Sequence, residues 1–271
     1  MAVSMTADTE SPISTASLHP IALAYADSHG IVLPADLPIR SQPHADDHFQ
    51  LVVAEGLALQ PLQMGKVNPL KVDFVAGALA HRRLYGGGVQ QDVAKACGLH
   101  QVRDLRILDT TAGLGRDAFI LAALGATVTM LERHPVVYAL LQDGLYRATL
   151  AGDGDLRAIM DRMSLIFGSA PEVYRTKAVA AQVVYIDPMF PARTKAAKVK
   201  ADMQSFHALV GTDDDGSALL AWALSAGVSR VVVKRPRLAA YLNEQVPSYK
   251  LSGKANRFDV YALNKLQSSK T

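Results

Sequence analysis

Three short stretches of this 271-residue chain combine residue types that can handle a ligand. The first is Asp187-Pro188-Met189-Phe190-Pro191, which sets a carboxylate, two prolines and an aromatic ring within five positions. The prolines impose a rigid, non-helical turn whose carbonyls cannot all be bonded internally. A carboxylate and free carbonyls can accept both hydrogens of an amine, and Phe190 can stack on a planar base. The competing reading is a proline-locked loop around a buried aromatic, with no chemistry at all.

The second stretch is Asp109-Thr110-Thr111-Ala112-Gly113-Leu114-Gly115-Arg116-Asp117. Gly113 and Gly115 let backbone approach a ligand closely, and a helix starting after them offers free N–H groups. The stretch falls short of the G-x-G-x-x-G dinucleotide pattern, because Thr111 and Ala112 stand where further glycines belong. A tight strand-to-helix turn also needs glycine for structural reasons alone. The third feature is Glu132, 23 residues after Asp109. That is close to the spacing of about 20 at which an acidic residue meets a ribose diol. Alone, Glu132 reads as an acid ahead of a helix starting at Pro135. With the glycine turn it points to an adenosine-containing ligand without naming it.

These residues must be held by a regular frame, and from residue 105 the sequence supplies one. Arg106–Leu108, Thr127–Leu131, Ser164–Phe167, Val183–Ile186 and Val231–Val233 are short apolar strands. Helical stretches are expected at Asp117–Leu124, Pro135–Thr149 (proline in its first turn), Ser217–Ser225 and Leu238–Gln245. Strands alternating with helices imply a parallel sheet covered on both faces. Tyr249–Gly253 and Phe258–Leu263 have no helix between them and read as a closing hairpin, so one strand must run antiparallel. Such a sheet binds its ligand outside the carboxyl ends of its strands, where all three features fall.

The first hundred residues lack this alternation and read as an N-terminal α+β extension (1–100) ahead of the main domain (101–271). Ile21–Ser28 is a short helix, and Pro34, Pro38 and Pro43 punctuate a loop before a strand at Phe49–Ala54. Asp73–Leu84 reads as a helix ended by Gly86-Gly87-Gly88.

Apolar residues at 49% and charged residues at 20% describe a folded chain rather than a disordered one. Cys97 is the sole cysteine, which excludes an internal disulfide and suits a reducing compartment. With one cysteine and no H-E-x-x-H pair, no metal is expected. Met1–Ser17 lacks the basic start and apolar core of a secretory signal. The uncharged apolar run Ala118–Leu131 is too short to span a bilayer, so a cytoplasmic location without a membrane partner is expected. Net charge is only +3. Basic residues nevertheless cluster at His81-Arg82-Arg83, at Arg193, Lys195, Lys198 and Lys200, and at Lys234-Arg235 with Arg237. Such clusters are ordinary solvated surface unless they surround a site that handles nucleic acid.

Asp187-Pro188-Met189-Phe190 resembles the Asp/Asn-Pro-Pro-Tyr/Phe motif of methyltransferases acting on exocyclic amines of bases, with methionine in the third position. The segment Asp73–Arg83, Gly86-Gly87-Gly88, the Asp109–Asp117 loop, Leu131-Glu132-Arg133-His134-Pro135 and Val183–Pro191 together resemble the ribosomal small-subunit methyltransferase J family. Val231–Pro236 and Arg257–Tyr261 continue the likeness, which runs from about residue 50 to the end. The resemblance implies a class I, Rossmann-like methyltransferase fold with a mostly parallel seven-stranded sheet. It implies S-adenosylmethionine as methyl donor and N2 of one guanine in the 16S rRNA of the small ribosomal subunit as target.

By matching positions, Asp109, Gly113, Gly115, Arg116, Asp117, Glu132, Arg133, Ser169, Ala170 and Asp187 would bind the cofactor. Asp187, Pro188 and Phe190 would act at the target amine. The family carries serine where this chain has Ala170, so a contact there is backbone or van der Waals. His81, Arg82, Arg83, Lys234 and Arg235 are the candidates for RNA phosphate. Two other classes fit the residues read alone: an amino-methyltransferase for DNA or a small molecule, and a non-catalytic nucleotide-binding module.

Overall fold

The computed structural model describes residues 16–64, 67–76, 79, 81, 88–151, 153–177, 179–189, 209–210 and 215–268. The larger of its two sheets has seven strands: β4 (Arg106–Asp109), β5 (Thr127–Glu132), β6 (Met163–Phe167), β7 (Val183–Ile186), β8 (Arg230–Pro236), β9 (Tyr249–Ser252) and β10 (Asn256–Ala262). Their order across the sheet is β6-β5-β4-β7-β8-β10-β9. β4 to β8 pair in parallel, and β10 runs antiparallel to both β8 and β9. The mostly parallel seven-stranded architecture with one reversed strand is therefore as expected.

Strand alternation divides the core in two. Ile107, Val183, Tyr185, Val232 and Val260 bury on one face, while Leu108, Val184, Ile186, Val231 and Val233 bury on the other. Side chains successive along a strand point to opposite faces, so runs apolar at every position need cover on both sides. On the second face α6 (Ala170–Lys177) and α7 (Gly216–Ser225) supply it through Val173, Leu220 and Ala223. On the first face lie α3 (Arg116–Ala123), α4 (Pro135–Leu150) and α5 (Gly154–Met160). The short helix α2 (Asp92–Cys97) also lies there, packed on β8, β9 and β10.

The smaller sheet joins β1 (Ala16–Leu18), β2 (Phe49–Val53) and β3 (Leu57–Pro61), with α1 (Pro20–His29) following β1. It docks on α4 through a buried polar cluster. Tyr25 Oη–H donates to Asp143 Oδ1 at 2.8 Å, Arg147 Nε donates to Asp143 Oδ2 at 2.8 Å, and Arg147 Nη2 donates to the Val72 carbonyl. The β2–β3 turn passes so close that a Cβ on Gly56 would lie 2.4 Å from Arg147 Nε, and Gly56 has φ +135°. Only glycine fits both the conformation and the space. Two residues beyond Val72, Phe74 stacks on Phe119 of α3 with ring centroids 5.3 Å apart. The small sheet thereby braces the helix that begins at the glycine loop.

Leu238–Gln245 departs from expectation: it holds only a three-residue 3₁₀ turn, Leu242–Glu244. Arg235 Nη2 donates to the carbonyl of Ala240, and Arg257 Nη1 donates to those of Arg237 and Ala239. Guanidinium donors take carbonyls that a helix would have used for itself. The expected helix Asp73–Leu84 is described in part: Asp73 Oδ1 accepts from the N–H groups of Val75 and Ala76, and Leu79 and His81 are helical. Among the described residues no helix is long and apolar enough to cross a membrane.

Candidate active site

The loop after β4 is built by tying its backbone to the strands on either side. Thr110 donates both its N–H and its hydroxyl to the Tyr185 carbonyl of β7, at 3.0 and 2.9 Å. Ala112 N–H donates to the Leu131 carbonyl of β5 at 3.1 Å. Gly113 and Gly115, with φ of 53° and 70°, then reverse the chain into α3. A Cβ on Gly115 would lie 3.0 Å from both Leu141 and Phe74, so the positive φ and the packing select glycine together. Thr111 holds what a glycine could not: its hydroxyl accepts the Asp187 N–H at 2.6 Å.

Glu132 ends β5 and is 8% exposed. Its Oε2 accepts from Gly113 N–H at 3.0 Å and its Oε1 from His134 N–H at 2.7 Å. Two backbone donors thus orient this carboxylate at the end of β5. Arg133 is exposed and pairs with Asp215 beside the start of α7. Ser169 follows β6, its carbonyl accepting from Val173 N–H, and Ala170 is buried as the first residue of α6.

The start of α3 and the ends of β7 and β8 meet around the half-buried Lys234 ammonium. Lys234 Nζ donates to Asp117 Oδ2 at 2.7 Å and to Asp187 Oδ2 at 2.8 Å, and Tyr185 Oη–H donates to the same Asp117 oxygen at 2.8 Å. Burial alone would lower the Lys234 pKa, but the two carboxylates outweigh it and hold the ammonium above its ordinary value. Tyr185 is held well above its own ordinary value by burial and the surrounding carboxylates. Asp109 is fully enclosed and accepts from Thr111 N–H at 3.1 Å. Burial pushes its pKa up to about 8, Thr111 opposes, and Asp117 and Asp187 add to the rise.

Of the residues singled out from sequence, Asp109, Gly113, Gly115, Asp117, Glu132 and Asp187 converge on this carboxyl edge. Pro188 is buried, packed toward the start of α7, where a Cβ on Gly216 would lie 3.3 Å from it. Arg116 is exposed at the first position of α3 and His81 is exposed in its own segment. Arg82, Arg83, Phe190, Arg193, Lys195, Lys198 and Lys200 lie outside the described residues. The pair Lys234-Arg235 separates. Lys234 enters the carboxylate cluster, and Arg235 is 6% exposed with its guanidinium on the Ala240 carbonyl, a place that does not support the phosphate contact expected of it. Sequence reading missed Thr111 and Tyr185 as members of the site. Strand alternation was the available signal for Lys234, because one of two neighbouring strand residues must face the site.

A family described as "Putative SAM-dependent methyltransferase" matches residues 36–263 of the chain. The chain is 49% identical over 251 residues to the ribosomal RNA small subunit methyltransferase J of Tolumonas auensis, covering 92% of this chain and 100% of that protein. It is 50% identical over 228 residues to the protein of the same name from Stutzerimonas stutzeri, covering 83% of this chain and 88% of the relative. Among solved structures, an S-adenosylmethionine-dependent methyltransferase from Neisseria gonorrhoeae superposes with a TM-score of 0.69 at 33% identity, covering 93% of this chain and 98% of that one. The likeness reaches into the first fifty residues, where the motifs alone had shown none. A family match over most of the chain and relatives about half identical across nearly their whole length place it plainly: the chain belongs to the ribosomal RNA small subunit methyltransferase J family of S-adenosylmethionine-dependent methyltransferases.

Proposed function

We propose that this protein transfers a methyl group from S-adenosylmethionine to the exocyclic N2 of one guanine in the 16S rRNA of the small ribosomal subunit. The observation that carries this reading is the Asp187-Pro188 turn at the end of β7, held by Thr111 and Lys234 one strand away from the loop that leads to Glu132. When bound, S-adenosylmethionine supplies an electrophilic methyl on a sulfonium. The residues present fit its other groups. Glu132, oriented by Gly113 and His134, is a carboxylate acceptor of the kind that ribose hydroxyls bind. The positive φ of Gly113 and Gly115 brings loop backbone close to a ligand, and Ser169 and Ala170 border the same edge beyond β6. Arg116, Asp117 and Arg133 complete the cofactor side in this reading.

Asp187 and the Pro188 carbonyl accept the two hydrogens of the guanine amine. That draws the nitrogen lone pair out of conjugation with the ring and aims it along the line of transfer. Bound S-adenosylmethionine would give up its methyl carbon to the aligned nitrogen and keep the carbon–sulfur electron pair on sulfur, and the surplus amine proton would pass to water. The contribution of the chain is positioning and electrostatics rather than base catalysis. Lys234 fixes the Asp187 carboxylate, and Phe190 supplies a stacking face for the base. Action on 16S rRNA goes with a cytoplasmic location.

The test is transfer of labelled methyl by purified protein to total RNA, DNA and small metabolites offered separately. Label confined to 16S rRNA, at guanine N2, supports the reading. Label on DNA or a metabolite alone replaces it.

A further inference from the structure

We propose that the carboxyl edge formed by β8 and the β9–β10 turn grips the RNA backbone beside the target base, with Arg237 and Lys254 as the phosphate contacts. The inference rests on the methyltransferase reading above and adds to it the path by which RNA reaches Asp187. Charge is the first observation. Residues 226–268 contain eight Lys and Arg against only Glu244 and Asp259, whereas the whole chain carries a net charge of just +3. Position is the second. Across the sheet, Glu132 on β5 lies to one side of Asp187 on β7, and β8, β10 and β9 fill the other side. A substrate that meets the methyl from the side opposite the ribose must therefore pass over this basic half.

The third observation separates the basic residues that hold the fold from those left to face a partner. Arg230 donates to the Ala96 carbonyl, Arg235 to that of Ala240, and Arg257 forms a buried two-bond pair with Asp259 at 2.7 and 3.0 Å. Arg257 also donates to the carbonyls of Arg237 and Ala239. These arginines are anchors, and what they anchor is the backbone from which Arg237 projects. Arg237 N–H in turn donates to the Ala255 carbonyl at 3.0 Å, so Arg237 and Lys254 emerge from adjoining chain segments. Both are exposed, and Leu238 beside them is 69% exposed. Asp117, Asp187 and Asp259 are taken up by Lys234 and Arg257, while Glu244 is exposed and exposed Asp92 abuts Gly253. A fork of guanidinium donors next to an ammonium, fixed on a braced loop three residues beyond Lys234, suits a phosphodiester backbone.

Arg237→Glu and Lys254→Glu test the proposal against Lys265→Glu. Lys265 is equally exposed but follows β10 at the opposite edge of the sheet, where Leu263 and Asn264 bond to Ser229 ahead of β8. The probe is transcribed 16S rRNA, titrated at several salt concentrations, with S-adenosylmethionine binding measured in parallel. Each of the first two variants should bind RNA about tenfold more weakly and lower the log K against log salt slope by about one. KM for RNA should rise while kcat at saturating RNA and cofactor affinity stay at wild type. Lys265→Glu should stay within about twofold of wild type on every readout. Unchanged affinity and slope in Arg237→Glu and Lys254→Glu, or an equal loss in Lys265→Glu, overturns the surface while the methyltransferase reading stands. Absence of RNA labelling by the wild type overturns the methyltransferase reading, and the surface with it.

Discussion

Replacing Lys234 by methionine removes a cation that is hydrogen bonded to both Asp117 and Asp187, and the geometry of the cluster sets the cost. The contacts are 2.7 and 2.8 Å, and the three side chains are 22%, 14% and 36% exposed. Removing one partner of a buried ion pair costs about 3–5 kcal/mol. Water reaching Lys234 and Asp187 screens part of that, leaving about 2–3 kcal/mol. For a chain of this length the melting temperature should fall by roughly 4–6 °C. The pH dependence follows from the raised Lys234 value. A group raised on folding stabilises below its unfolded value and loses that contribution as pH rises through the folded one. The gap between wild type and variant should therefore hold from pH 6 to 9 and close only above the ordinary lysine value of 10.5. The assay is calorimetric unfolding across that range, beside methyl transfer under saturating conditions. Loss of the hold on Asp187 should lower kcat by about 100-fold. A melting temperature within 1 °C of wild type (the rough scatter of the method) together with unchanged kcat would refute the reasoning.

Three further outcomes follow from other parts of the site and its frame. Asp109 is raised to about 8 on folding, so its stabilising contribution is full below about pH 4 and is lost as pH climbs to 8. Asp109→Asn, which does not titrate, should gain on wild type over that interval by on the order of 2–5 kcal/mol in denaturant unfolding, and a pH-independent difference counts against a buried proton there. Glu132→Ala should weaken S-adenosylmethionine about 10–100-fold by titration calorimetry, since it removes charge-assisted bonds to two hydroxyls; retained affinity would move the ribose elsewhere. Gly56→Ala forces a Cβ against Arg147 and Asp143 at a φ of +135°. It should lower stability by about 2–4 kcal/mol with an unchanged denaturant slope, and a neutral substitution would contradict the tight docking of the small sheet on α4.

The large sheet was legible because its strands are buried on both faces and therefore read as plain apolar runs, such as Val183-Val184-Tyr185-Ile186. The small sheet was only partly so: β1 has three residues and β3 contains Gln60 and Pro61, too little pattern for either to stand out. Short helices α2, α5 and α6 escaped for the same reason. Leu238–Gln245 looked helical by composition, and only the arginines reaching it from β8 and β10 say otherwise. The Lys234 cluster was the largest gap. Its partners lie 117 and 47 residues away, so no local spacing reports them. Adjacency made Lys234-Arg235 look like one basic patch, whereas consecutive strand residues part to opposite faces. Gly113, Gly115, Glu132 and Asp187 were readable because each lies at or just beyond the carboxyl end of a strand, where glycines and acids break the apolar runs.

Methylation of guanine N2 in 16S rRNA is read out by mass mapping of that RNA from cells that lack this protein, with rescue by wild type and by Asp187→Ala. One guanine should lack a methyl group at N2, with methylation restored by wild type and not by Asp187→Ala. A fully methylated 16S rRNA without the protein, or full rescue by Asp187→Ala, would contradict this reading.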